Sequence, residues 1–104
     1  MSEQPSDDAP IRISVSDTES GREYRATMAD REGEAELEVS RVNAELVIAA
    51  HTEVPASMSG MGVGVALVER LIEDARTEGF SIIPLCPFVK AQYGRNPDWA
   101  DVMK

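Results

Sequence analysis

The hydrophobic period of this chain changes from two to helical near residue 55, and that change constrains the fold more than any other feature. Upstream, apolar residues recur at every second position. Ile11, Ile13 and Val15 alternate with Arg12, Ser14 and Ser16; Tyr24, Ala26 and Met28 alternate with Glu23, Arg25 and Thr27. Ala35, Leu37 and Val39 alternate with Glu34, Glu36, Glu38 and Ser40. A period of two describes strands of an antiparallel sheet with one face buried. The run Leu46 to Ala50 is apolar at every position, which predicts a central strand covered on both sides. Turn signals at DTESG, at Asp30 to Gly33 and at Asn43 are short, so the four strands read as a meander. Downstream, Leu67, Val68, Leu71, Ile72 and Ala75 recur at helical spacing, with Glu69, Arg70, Glu73, Asp74 and Arg76 on the opposite face. Gly79 is placed to end that helix. Ser81 to Leu85 reads as a fifth strand interrupted by Pro84. Pro87 and Pro97 stand where first helical positions would be, behind Cys86 and Asn96 as caps, and predict two short closing helices. The fold class is α+β.

With 104 residues the chain suits one domain. Residues 1–10, with Pro5, Asp7, Asp8 and Pro10, lack any apolar pattern and are expected to form a disordered tail before a domain over 11–104. Nineteen acidic against ten basic residues give a net charge of −9, a field that opposes nucleic acid. One cysteine and one histidine exclude a disulfide within the chain and a zinc site built from several Cys and His, so no metal is expected. No apolar run approaches the ~20 residues of a membrane span. The first residues lack the pattern of a signal peptide, so the expected setting is the cytoplasm, with no membrane partner.

The segment HTEVPASMSGMGVGVALVERL, residues 51–71, joins the central strand to the long helix. Gly60, Gly62 and Gly64 fall where the helix begins. Glycines let a ligand approach the backbone, and the first helical turn offers N–H groups without helical partners. Together with the helix dipole these donors form an anion site suited to a diphosphate. The spacing G-x-G-x-G fits neither a dinucleotide fingerprint nor a P-loop. Close helix–sheet packing explains such glycines equally well.

Beyond the loop, L-V, A-R, G-F, P-L-C-P-F-V and R-N-P-D-W follow in order, and with HTEVP and G-x-G-x-G they resemble the GNAT N-acetyltransferase superfamily. More narrowly, they are similar to its small N-acetyltransferase-like family of about a hundred residues. The resemblance implies a GNAT-like fold: a mostly antiparallel meander, a long helix after the glycine loop, a splayed fifth strand and two short C-terminal helices. It also implies acetyl-CoA as cofactor, with the backbone of Ser59, Gly60, Met61, Gly62, Val63 and Gly64 on the pyrophosphate. Backbone N–H groups near Glu53 and Val54 would serve the thioester carbonyl and pantetheine, and Lys90 would reach a coenzyme phosphate. The sequence departs from the superfamily pattern at Ser59, where Gln or Arg is usual, and at Met61, often basic. Gln92 takes the place of the family's Tyr, with Tyr93 one position later, and Asn96-Pro97-Asp98-Trp99 stands for His-Pro-Glu-Tyr.

Acyl transfer from a thioester to an amine requires a base for the amine, donors for the oxyanion and help for the leaving thiolate. His51 and Glu53, two apart on one strand, are candidate bases; a structural histidine and a solvated carboxylate are the alternatives. Cys86 precedes a proline and a helix, which confines it to extended geometry and lowers its thiol pKa. The resemblance places it beside the acetyl group, as a covalent relay or as support for the thiolate, with direct transfer in a ternary complex preferred; a small buried structural residue is the alternative. Pro84 cannot donate to the sheet ladder, so the fifth strand is expected to splay from the fourth and leave a gap for pantetheine. Trp99 is expected to anchor the last helix. Larger members of the superfamily insert helices after the first strand as part of the acceptor wall; only a short turn stands here, so the resemblance implies an open acceptor side, and an open, acidic groove would suit a basic peptide or small amine. The acidic residues from Glu32 to Glu38 read first as one solvated face. The protein is expected to be a monomer or weak dimer. A coenzyme-binding module without turnover and a protein-interaction domain are the rival readings.

Overall fold

A computed structural model describes residues 11–104; the expected N-terminal tail, 1–10, lies outside the described residues. Five strands form one sheet in chain order: β1 (Ile11–Asp17), β2 (Gly21–Met28), β3 (Arg31–Asn43), β4 (Leu46–Glu53) and β5 (Ser81–Pro84). The first three pairings are antiparallel and β5 runs parallel to β4. Helix α1 (Val63–Glu78) makes the crossover from β4 to β5, and α2 (Pro87–Arg95) follows β5. The second expected C-terminal helix is a 3-10 turn, Pro97–Asp101.

The period-two residues build the core. Tyr24, Ala26, Ala35, Leu37, Val39, Val47 and Ala49 are buried against Leu67, Val68, Leu71, Ile72 and Ala75 of α1. The helix is also tied to the sheet by polar contacts. The Tyr24 hydroxyl donates to Asp74 Oδ2 at 2.8 Å, and Arg22 donates to Glu78 at 2.9 and 3.0 Å and to Asp17 at 2.7 Å. Burial, the largest influence, raises the Tyr24 phenol above its ordinary pKa; Arg22 lowers it and Asp74 raises it further.

Two expectations need correction. The β2–β3 turn occupies Ala29 and Asp30 alone, because Gly33 lies inside β3 with φ +92°, and the register shifts there instead of the chain turning. The apolar run in β4 is interior to the sheet but covered on one face only: Val47 and Ala49 are buried, Leu46 and Ile48 half-buried, and Ala50 exposed. The outer edge of β5 is covered by the C-terminus. Ile82 N–H donates to Val102 O at 2.7 Å and Lys104 N–H to Ile82 O at 2.8 Å, so the C-terminal segment closes that edge. Trp99 is buried beneath it, as expected of an anchor. Among the described residues no helix is long and apolar enough to cross a membrane.

Candidate functional site

The fold brings the glycine loop, the end of β4 and the start of α2 together around one cleft of about 290 Å³. Val54, Met58, Ser59, Gly60, Gly62, Val63, Gly64, Val65 and Phe88 line it. A 3-10 turn, Ala56–Met58, carries the chain from β4 into the loop, with Met58 fully buried as its plug.

The three glycines do different work. Gly60 and Gly62 both adopt φ +78°, a left-handed conformation that a side chain strains, yet a Cβ at either would meet nothing within 4 Å. They set the course of the backbone and leave open space beside it. Gly64 is a packing residue: a Cβ there would lie 2.8 Å from Phe88 Cζ and 3.2 Å from Val54 Cγ2. The alternative of close packing therefore holds for one glycine of the three.

Beyond Gly62, the first helical hydrogen bond runs from Ala66 N–H to Gly62 O at 3.0 Å. Among the described residues nothing accepts from the N–H groups of Gly62, Val63, Gly64 and Val65, no side chain caps the helix, and its first turn holds no carboxylate. Four unpaired donors at the positive end of a 16-residue helix, facing a cleft with open space over Gly60 and Gly62, fit a diphosphate.

Upstream of the loop β4 outlasts its partner. Pairing with β5 ends at Ala49 and Pro84, after which Cys86 N–H donates to Ala49 O at 2.9 Å and the chain turns into α2. Residues 50–53 of β4 have no β5 partner, as Pro84 predicts. In this stretch β4 also carries a bulge. Val39 pairs with Ala49 and Glu38 with His51, leaving Ala50 extra. The bulge resets the alternation, so Thr52 joins the core face opposite Leu37 while His51 and Glu53 face outward opposite Glu38 and Glu36.

This phase divides the candidate catalytic residues. Cys86, 5% exposed, donates its thiol to Thr52 Oγ1 at 3.3 Å on the core side. Burial raises the thiol pKa, but the Thr52 hydroxyl and the backbone of Val89, Phe88 and Thr52 outweigh it and bring the value below that of an ordinary cysteine. His51 and Glu53 sit on the outer face with Nε2 and Oε1 3.6 Å apart, both well exposed. The two groups flank the β4–β5 opening from opposite sides. Lys90 is exposed on α2 and is not among the residues lining the loop cleft. Sequence reasoning missed Thr52 and Phe88. Strict alternation from Val47 and Ala49 would put Thr52 on the outer face, but nothing in the sequence marks the bulge that turns it to the core.

The outer face is strongly acidic. Glu36 stands directly across from Glu53 and Glu23 across from Glu38, with Arg25 paired to Glu23 and Glu34 at 3.0 and 3.3 Å. Like charges opposite one another oppose sheet stability. β1 passes to β2 through Thr18–Ser20 alone, so no inserted helix covers this face.

A similar architecture exists in a GCN5-like protein from Staphylococcus aureus, determined in solution by NMR. It is 26% identical, with a TM-score of 0.64 over 88% of this chain and 87% of that one. No protein of curated function matches the chain. The family model for GCN5-related N-acetyltransferases matches residues 23–102, a span that takes in β3, the bulged strand, the loop, α1 and the cysteine together. On that match, the chain belongs to the family of GCN5-related N-acetyltransferases.

Proposed function

We propose that this protein binds acetyl-CoA in the loop cleft and transfers its acetyl group to an amine that approaches across the outer face of the sheet. The observation that carries the reading is the loop: two left-handed glycines with open space beside them and four unpaired N–H groups at the start of α1. When bound, the coenzyme supplies an activated thioester carbonyl. Gly60, Gly62 and the first turn of α1 hold its diphosphate, with Ser59, Met61 and Val63 shaping the backbone around it. The unpaired stretch of β4, through the backbone of Glu53 and Val54, offers hydrogen bonds to an extended pantetheine arm, as an added strand would receive.

His51 and Glu53 serve the acceptor. Either takes the ammonium proton, directly or through water, so that the neutral amine attacks from the outer side. Cys86, held by Thr52 on the inner side, would donate a hydrogen bond to the sulfur of the leaving thiolate, in support of direct transfer to the amine. The acidic outer face, with its opposed glutamates, favours a flexible basic peptide as acceptor over an anionic one.

A melting titration with acetyl-CoA, CoA and ATP at equal ionic strength tests the first half. Ligand at 100 times its dissociation constant stabilises the fold by about 2.7 kcal/mol. The expected outcome is a shift with acetyl-CoA and CoA and little with ATP, followed by acetylation of a lysine-containing basic peptide. Binding without transfer to any amine would leave a coenzyme-binding module. A folded protein that binds neither compound would leave the interaction reading.

A further inference from the structure

The loop that receives the diphosphate contains no cation. From Thr52 to Glu69 there is no lysine or arginine, and Ser59 and Met61 beside the loop glycines carry no charge. Backbone donors alone must then bind a multiply charged anion on a protein whose net charge is −9.

A cation nevertheless stands at the loop, delivered from elsewhere in the fold. Arg31 is the first residue of β3, and its Nη2 lies 4.0 Å from the thioether sulfur of Met61, between the two left-handed glycines. Two neighbours of Arg31 fix this approach. The Ser57 hydroxyl donates to Glu32 O at 2.6 Å, and a Cβ on Gly33 would touch Pro55 Cγ at 3.3 Å. The start of β3 is therefore seated on the segment that leads into the loop. The guanidinium itself is little used: its ion pair is with the adjacent Asp30 at 3.9 Å, and among the described residues no oxygen accepts a hydrogen bond from it. An arginine whose guanidinium meets only the adjacent Asp30 and the exposed thioether of a loop residue has donors to offer an anion at that loop.

We infer that Arg31 is a coenzyme-binding residue, supplying to the diphosphate the positive charge that the glycine loop lacks. This rests on the coenzyme reading above. Turned away from Met61, the guanidinium would fork onto phosphate oxygens held at the loop, a bidentate contact that lysine reproduces only as a point charge.

The test is calorimetric titration of wild-type, Arg31→Gln and Arg31→Lys proteins with CoA and with dephospho-CoA, at low and moderate salt. Arg31 is exposed at a strand end, and equal melting temperatures without ligand will confirm that the variants are folded. The expected result is that Arg31→Gln weakens both ligands by about tenfold and flattens the salt dependence, with Arg31→Lys in between. Wild-type binding with undiminished affinity in Arg31→Gln would overturn the assignment. A loss seen with CoA but not with dephospho-CoA would move the contact to the 3′-phosphate and also overturn it. A wild-type protein that binds neither ligand would overturn the coenzyme reading itself.

Discussion

The thiol of Cys86 and the hydroxyl of Thr52 lie 3.3 Å apart across the gap where β4 and β5 part. Thr52 reaches this position only because the bulge at Ala50 turns it to the core face. Its hydroxyl can donate to the thiolate, which favours the charged form and helps bring the pKa below the ordinary thiol value despite burial. Replacing Thr52 by Val keeps the shape and removes that donor, so the pKa must rise. The rate of Cys86 alkylation, followed against pH, should then shift to higher pH and fall at neutral pH. An unchanged profile would remove Thr52 from this role.

Substitutions at Gly62 and Gly64 should fail in different ways. Gly62→Ala strains a φ of +78° by about 1–2 kcal/mol, but its methyl meets open space. The fold should survive with a modest fall in melting temperature, and CoA affinity should drop because the methyl enters the space above the loop. Gly64→Ala drives a methyl into the Phe88 ring at 2.8 Å, so its main effect should be on stability, about 1–3 kcal/mol, read in denaturant melts. Equal effects of the two variants on both properties would contradict the division of labour.

Those two glycines also show what the sequence could tell. Alternation announced the β2 and β3 core faces, and helical spacing announced the buried face of α1, because each pattern is local and enforced by burial. The three glycines look alike in sequence; only the tertiary placement of Phe88, 24 residues after Gly64, makes one of them a packing residue. The bulge at Ala50 has no compositional mark, so the separation of Cys86 from His51 and Glu53 was not legible. Closure of the β5 edge by Val102 to Lys104 was equally hidden, since it depends on backbone groups that every residue carries.

The Tyr24–Asp74 bond should be measurable as stability. Tyr24 is fully buried and its hydroxyl has Asp74 as acceptor at 2.8 Å. Tyr24→Phe should cost about 1 kcal/mol. Asp74→Ala should cost more, about 2–3 kcal/mol, because it also strips Arg22 and Arg70 of a half-buried partner and leaves the phenol without an acceptor. Denaturant midpoints at unchanged slope provide the comparison. A smaller loss for Asp74→Ala than for Tyr24→Phe would mean the ion pairs oppose the fold on balance.

The position of the candidate groups on opposite faces makes a kinetic prediction about transfer. If His51 and Glu53 handle the amine, changes there should lower kcat while leaving acetyl-CoA affinity alone. His51→Gln or Glu53→Gln should reduce kcat by about 100-fold for the one that acts as base. Cys86 faces the inner side, and in direct transfer it never carries the acetyl group. Wild-type protein incubated with acetyl-CoA and no acceptor should therefore show no acetylated Cys86 by mass spectrometry, and Cys86→Ala should retain single-turnover transfer at a reduced rate. Acetyl on Cys86 that an added amine removes as fast as steady-state turnover would establish the relay instead. The base at His51 or Glu53 would then act on the second step alone.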